Sequence, residues 1–477
     1  MNFIENIISV GNDLFWSYIL IIVLVGLALY FTFKTGFVQF KNFKEMFRLL
    51  GDSTQSSDPN QKGISSFQAF TISTATRVGT GNVAGVAVAI SLGGPGAVFW
   101  MWVIALFGAS LAFVESTLAQ MYKVKDPGTN GFKGGPAYYM ERAMGKRWMG
   151  VLFAILITFC FGFAFNSIQT NTIASAFNEA FGIEPLVIGS IITILTGFVI
   201  FGGVTRIAKV TQAVVPVMAI LYVALALYVV IINYSEIPAV FGLIVSSAFG
   251  LEQAVGGGSG DAIMNGVKRG LFSNEAGMGS APVAAATANV SHPVKQGFVQ
   301  TLGVFVDTLL ICSATAFIIL FATDIPTDSA EGIQLTQLAL SAHVGEWASI
   351  FIAIAILLFC FSSIIGNYYY GEANISFIKE SKLAIFVFRI AVLAMVLFGS
   401  VASLEMVWNL GDLFMALMAI VNLIALAFIG KLVAPVLKDY LKQRKEGKDP
   451  VFYADNVEGI EGLECWQRDE TSKKQGM

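Results

Sequence analysis

Two stretches of this 477-residue chain repeat a pattern that could do chemistry: RVGTGNVAG at 77–85 and RGLFSNEAG at 269–277. Each reads Arg, four residues, then Asn-x-Ala-Gly, so that Arg77 matches Arg269, Asn82 matches Asn274, Ala84 matches Ala276 and Gly85 matches Gly277. Both lie in long apolar segments, where an arginine is costly at depth and glycines weaken a helix. Interrupting a helix in mid-membrane frees N–H and C=O groups that lipid cannot satisfy. The N-terminus of a half-helix then offers donors to an anion such as a carboxylate, and the freed carbonyls offer hard oxygen ligands to a small cation. A site with both suits a zwitterion and a co-transported ion.

The elements that must position such a site are membrane spans. The chain is 56% hydrophobic and 13% charged, with a mean hydropathy of +0.72, so lipid must solvate part of it. At about 20 apolar residues per span, eleven spans are predicted: 14–33, 66–91, 97–122, 148–174, 186–203, 211–232, 262–286, 297–321, 347–370, 383–403 and 409–430. Alternate loops, starting with 34–65, hold 25 of the 29 lysines and arginines; the opposite loops hold none. By the positive-inside rule the amino terminus is outside and the carboxyl tail inside. The repeated pattern opens two five-span blocks, 66–232 and 262–430, preceded by a leading span and cytoplasmic linker at 1–65. Five is odd, so the blocks have opposite orientations. Inverted repeats with matching interrupted spans point to an alternating-access transporter. Segment 233–261 is expected to be an external interfacial helix and flexible connector, and 431–477 a solvated cytoplasmic tail.

Other chemistries find little support. The four cysteines, Cys160, Cys312, Cys360 and Cys465, have neither disulfide-framework nor metal-site spacing. His292 and His343 are far apart in polar stretches, which argues against a histidine zinc site. GTGNVA at 79–84 fits a dinucleotide pattern, but without a preceding strand or the acidic residue about 20 positions on. GGSG at 257–260 resembles a serine-hydrolase motif, without a histidine base in reach. The amino terminus lacks a basic n-region and cleavage site, so no removable signal peptide is expected. Nucleic-acid binding has no support, and no cofactor is expected.

The long motifs SSFQAFTISTATRVGTGNVAGVAVAISLGGPGAVFWMW at 65–102, GGPAYYM at 134–140 and NGVKRGLFSNEAGMGSAPVAAA at 265–286 resemble the alanine/glycine:cation symporter family, and the likeness runs from the first span to the last. The resemblance implies an all-α polytopic membrane protein with a leucine-transporter-like fold: two inverted five-helix repeats and one extra leading helix. It further implies sodium-driven uptake of a small neutral amino acid, alanine or glycine, across the plasma membrane (the inner membrane in a Gram-negative cell).

Carried over by motif, the resemblance implies that the amides of Gly79, Thr80, Gly81 and Asn82 hold the substrate carboxylate, helped by the Asn82 side chain. Gln169 would be a polar contact in the same pocket, with ordinary interhelical hydrogen bonding as its alternative. Phe272 to Gly277 would supply backbone acceptors for the ammonium and an aromatic wall, though Phe272 could equally be plain packing. Sodium would be held by the Ala75 and Val78 carbonyls with the hydroxyls of Ser362 and Ser363. Many members carry tryptophan four residues after the second of these hydroxyls; this chain has Asn367, whose smaller amide implies a wider pocket, with glutamine a candidate substrate.

Three rival functions share some of these features. A channel needs no inverted repeat, and a membrane enzyme lacks a nucleophile–base pair here. Proton coupling remains open, because Glu115, Glu275 and Asp307 lie within spans. The same carboxylates are the expected partners of Arg77 and Arg269, as anchors of the two closing layers.

Overall fold

In a computed structural model, residues 2–52, 64–126, 128, 131–202, 204–250, 259–327 and 330–468 are described. Helices form nearly all of the regular structure; the exception is an antiparallel hairpin of Val124–Asp126 with Gly131–Lys133. Both interrupted spans are broken where the repeated motif lies. The first becomes helices Ser66–Arg77 and Gly81–Gly93, the second Ser259–Asn274 and Ala281–Thr287.

The two breaks differ in kind. Helix Ser66–Arg77 starts at a capping box, in which Ser65 Oγ accepts from Gln68 N and Gln68 Oε1 accepts from Ser65 N. It ends at Val78, whose ψ of 93° turns the chain out of the helix. The second break is longer and uses left-handed backbone at Glu275 (φ 58°), Gly277 (φ 88°) and Gly279 (φ 85°). A β-carbon on Gly279 would also lie 2.7 Å from Pro136 Cγ and 2.9 Å from Asn422 Cγ. Both the backbone conformation and the space therefore require glycine there.

Helix Gly96–Met121 packs against the second broken helix, against Pro293–Val304 and against the leading helix Leu20–Lys34. Helix Asn166–Phe181 lies between Trp347–Ile378 and Lys382–Val401. Three helices are locally widened into π turns beside the breaks, at Gly81–Gly85, Thr158–Phe165 and Phe305–Cys312. Such widening re-aims side chains and often marks functional positions.

Among the described residues, six helices pass by length and composition as membrane spans, and Pro216–Ile232 joins Tyr234–Ala248 through a 77° bend. The other four expected from sequence are shorter or broken: Leu20–Lys34, Pro185–Ile200, the pair Ser66–Arg77 and Gly81–Gly93, and the pair Ser259–Asn274 and Ala281–Thr287. The helix expected in 233–261 is Ile237–Ala248, while 251–258, including the start of GGSG, lies outside the described residues. The tail is not wholly solvated. Helix Val433–Lys445 buries Val433, Val436 and Tyr440, and beyond it Phe452, Leu463 and Trp466 are buried. Its apolar residues are too irregularly spaced to signal this in a polar sequence.

Replacing Gly279 by alanine is expected to destabilise the protein by more than replacing Gly36, which has φ 67° with nothing within 4 Å. Gly36→Ala reports the left-handed cost alone, and the excess at Gly279, about 1–3 kcal/mol, reports overpacking. Thermal unfolding in detergent measures both; equal melting temperatures would show that the break repacks freely.

Candidate functional site

The first break gathers side chains from two other helices. Thr80 N and Thr80 Oγ1 both donate to Gln169 Oε1, at 3.0 and 2.9 Å. Ser363 Oγ donates to the Ala75 carbonyl at 2.7 Å and lies 3.4 Å from the Val78 carbonyl. Gly79 makes this approach possible. A β-carbon there would collide with Ser363 Oγ and come within 2.7 Å of Gln169 Oε1. Ala75, Val78, Gly79, Thr80, Gln169 and Ser363 are thus brought together. Ser362 points elsewhere: its hydroxyl bonds to the Phe359 carbonyl of its own helix at 2.7 Å. Asn367 is fully buried one turn beyond Ser363, with Nδ2 donating to Asn166 Oδ1 at 3.1 Å and Oδ1 without a partner.

Around the second break the backbone is answered by one carboxylate. Glu115 Oε1 accepts from Gly277 N at 3.1 Å, and Oε2 accepts from Gly279 N at 3.1 Å and Asn422 Nδ2 at 2.9 Å. Asn422 Nδ2 also donates to the Gly277 carbonyl at 2.8 Å, and Tyr139 OH donates to Asn422 Oδ1. Both backbone groups of Gly277 are therefore engaged within the protein. Phe272 remains in the helix before the break and stacks between Phe165 and Trp408, with ring centroids 4.6 and 4.8 Å away. It also presses on Gly81, where a β-carbon would lie 2.9 Å from Phe272 Cδ1.

A polar cluster centred on Asp307 links the two breaks. Asn82 Oδ1 accepts from Gly79 N at 3.0 Å, while Asn82 Nδ2 donates to Asp307 Oδ1 at 2.6 Å. Ser273 Oγ and Thr308 Oγ1 donate to Asp307 Oδ2 at 2.6 and 2.8 Å. Asn82 thus spends its side chain joining the broken helices. Asp307 is fully buried, with no lysine or arginine nitrogen within 4.0 Å among the described residues.

Comparison with known proteins decides what this geometry belongs to. The model of the sodium:alanine symporter family matches residues 1–454. The chain belongs to this family. It is 57% identical over 98% of its length, and 97% of the relative's, to the probable sodium/glutamine symporter GlnT of Bacillus subtilis strain 168. It is 54% identical to the amino-acid carrier protein AlsT of the same organism, over 98% of both chains. Among solved structures it resembles MhsT in complex with L-phenylalanine, with a TM-score of 0.56 and 13% identity over 81% of this chain and 99% of that one. The likeness to MhsT concerns fold. Together these make the chain a multi-pass, all-helical sodium-coupled amino-acid symporter of the bacterial cell membrane, and not an enzyme.

The symporter's two repeat-related arginines are treated differently. Arg269 pairs with Asp412, a carboxylate of the last long helix rather than one of the three expected from sequence, and its guanidinium stacks 4.3 Å from the Trp408 ring. Lys268 Nζ lies 3.7 Å from the same Asp412 oxygen. The helical segments running into the leading helix, Asn2–Leu14 and the π turn Phe15–Ile19, support this layer, with Trp16 Nε1 donating to the Asp412 carbonyl at 3.2 Å and Asn12 Nδ2 to the Asn409 carbonyl at 3.0 Å. The expected pairing of Arg77 is not observed. Arg77 Nη1 donates to the Gln300 carbonyl at 3.3 Å, and among the described residues no carboxylate lies within 4.0 Å of it. Helix Pro293–Val304 fills the space around that guanidinium, with Gly303 packed directly on Nη1.

Sequence reasoning put Glu115 and Asp307 among possible proton carriers or arginine partners; their roles at the breaks, and those of Ser273, Asn422 and Trp408, went unread. The available signal was an isolated acid or amide in an apolar span. Glu115→Gln keeps the shape but turns an NH2 toward a backbone N–H, leaving donors unpaired. An expected loss of about 1–3 kcal/mol is read as a lower melting temperature together with lost uptake; an unchanged melting temperature would show that the break holds without the carboxylate.

Proposed function

We propose that this symporter couples sodium to uptake of a polar neutral amino acid, with glutamine preferred to alanine, and that it works by alternating access with the amino terminus outside and the tail inside. On this reading it has eleven spans, the broken ones among them, arranged as two inverted five-helix repeats behind the leading helix. The observation that carries the proposal is the approach of the Ser363 hydroxyl to the Ala75 and Val78 carbonyls beside the first break. Three hard oxygens meet there, and a monovalent cation would sit among them once the Ser363 hydroxyl rotates its proton away and presents its oxygen. Ser362 would join after rotation of its side chain. The substrate carboxylate would be bound at the N-terminal end of the first break's second half, by the amides of Gly79 to Asn82, those of Gly79 and Thr80 exchanging their present acceptors, Asn82 Oδ1 and Gln169 Oε1, for it, with Gln169 and Phe272 beside it. Gly277 would act through shape, since its own amide and carbonyl are engaged by Glu115 and Asn422.

Glutamine is favoured by two considerations. The 57% identical relative is described as a sodium/glutamine symporter. Asn367 and Asn166 also bring two small amides together where family members often carry a tryptophan, and Asn367 Oδ1 is left as a buried acceptor without a partner. A substrate carboxamide can satisfy such a group, which separates substrates more sharply than one methylene does.

A second reading, coupling to protons, is favoured by Asp307 alone. This buried carboxylate bridges both breaks with no cationic side chain within 4.0 Å among the described residues. Uptake into proteoliposomes under a sodium gradient, a proton gradient or neither separates the two. The sodium reading expects the first alone to drive accumulation; accumulation driven by the proton gradient alone overturns it.

Within the sodium reading the two serines should differ. Ser363→Ala is expected to raise the half-maximal sodium concentration roughly ten-fold or more, the scale of one lost charge-assisted contact, while Ser362→Ala changes it by less. Equal effects, or none, would remove Ser363 from the cation site. For the substrate, excess glutamine should suppress labelled alanine uptake in the wild type and lose that power in Asn367→Trp. Failure to compete in the wild type, or equal competition in both, refutes the wider pocket.

A further inference from the structure

The tail beyond residue 454 lies outside the span matched by the family model, yet it reaches the broken helices. The link runs through Ala288, just past helix Ala281–Thr287. Ala288 forms a parallel bridge with Ile64, at the start of the first broken helix, and Asn289 N donates to the Ile64 carbonyl at 2.9 Å. The N-terminal end of the first broken span and the C-terminal end of the second are therefore tied at one point. Two side chains from the end of helix Gly96–Met121 hold the Ala288 carbonyl: Gln120 Nε2 at 2.9 Å and Lys123 Nζ at 3.1 Å.

These two side chains are in turn held by the tail. Trp466 Nε1 donates to the Gln120 carbonyl at 2.9 Å. The Lys123 amine sits between two rings, 3.9 Å from the centroid of Phe132 in the hairpin and 4.8 Å from that of Trp466. Lys123 is 1% exposed and has no carboxylate within 4.0 Å among the described residues; burial pulls its amine down to about 7, and the two rings and the Ala288 carbonyl are what it packs and bonds against. Phe452 packs 5.6 Å from Trp466, its amide donates to the Ser291 carbonyl at 2.9 Å, and Arg142 Nη2 meets Glu464 at 2.9 Å. The tail is thus seated at several points between Phe452 and Trp466.

We propose that Trp466 and Lys123 are positioning residues for the closing layer on this side: the docked tail holds Lys123 and Gln120 against Ala288 and so favours the state in which the two broken helices are shut at this end. The proposal rests on the alternating-access reading given above, under which this end is cytoplasmic. Undocking Trp466 would loosen the grip on Ala288 and shift the population toward the state open to the cytoplasm. Transport from outside would then begin from a less populated form, which raises the apparent half-saturating substrate concentration.

The test uses the full chain purified in detergent and in proteoliposomes, with Trp466→Ala, Trp466→Phe and Lys123→Met. Hydrogen exchange of peptides covering 281–292 should speed up about 5-fold in Trp466→Ala, the scale of one net buried hydrogen bond. Peptides from 404–429 should be unchanged. Trp466→Phe keeps a ring over Lys123 and should fall between wild type and alanine, and Lys123→Met should resemble alanine. The half-saturating concentration for uptake should rise by a similar factor while the maximal rate changes less. Uniformly faster exchange with a lower melting temperature would mean a merely structural role and overturns the proposal, as does unchanged exchange at 281–292. Exchange is read without transport, so a wild type that takes up no amino acid would refute the functional reading and leave this inference to be judged on the exchange data.

Discussion

Every peptide group unwound inside a bilayer must find a partner within the protein, because lipid offers none and each unmet group costs several kcal/mol. That constraint organises this molecule. The long second break survives because Glu115 takes two of its amides and Asn422 takes its Gly277 carbonyl. The short first break survives because Gln169 takes the Thr80 amide and Asn82 takes that of Gly79. Asn82 belongs to the broken helix itself, but Glu115, Asn422 and Gln169 come from helices outside the broken pair, so the core must be assembled around the breaks before they become tolerable. The extensive burial of polar side chains in the middle of the fold follows from this requirement.

The existence and place of both breaks were legible because arginine, asparagine and glycine are conspicuous within apolar segments, and the repeat of the pattern made chance a poor explanation. What answers the breaks was not legible. Glu115 meets Gly277 across 162 residues of sequence, a register that depends on how one long helix is rotated against another. The two serines illustrate the same limit. Adjacent helical positions differ by about 100° around the axis, and only the packing of Trp347–Ile378 turns Ser363 toward the break and leaves Ser362 facing its own backbone. The π turns at Gly81–Gly85 and Phe305–Cys312 shift facing by a further fraction of a turn and carry no composition signal.

Sequence symmetry also overstated physical symmetry. Arg77 and Arg269 occupy matching places in the repeat, yet one meets a carboxylate and an aromatic face while the other has one carbonyl. Removing one partner of a buried ion pair is expensive, on the order of 3–5 kcal/mol, because it leaves the other charge buried and unpaired, so Arg269 and Asp412 depend on each other closely. The segments running into the leading helix, which have no counterpart in the repeat, add to that side alone by fixing the backbone of Asp412 and Asn409.

At the opposite end the closure is made from weaker and more numerous parts. Carbonyls at Ala285 and Ala288 are held by Gln120 and Lys123, which depend on rings contributed by the hairpin and the tail. Neutral hydrogen bonds are each worth about 1 kcal/mol and a desolvated cation–π contact about 2 kcal/mol, so the contacts here are several and individually modest. Arg77 fits the same scheme. Among the described residues it has no ion pair to break, only the hydrogen bond to the Gln300 carbonyl. On the alternating-access reading proposed above, the two ends therefore close differently, one on the Arg269–Asp412 pair and the other on the more numerous contacts around Ala288.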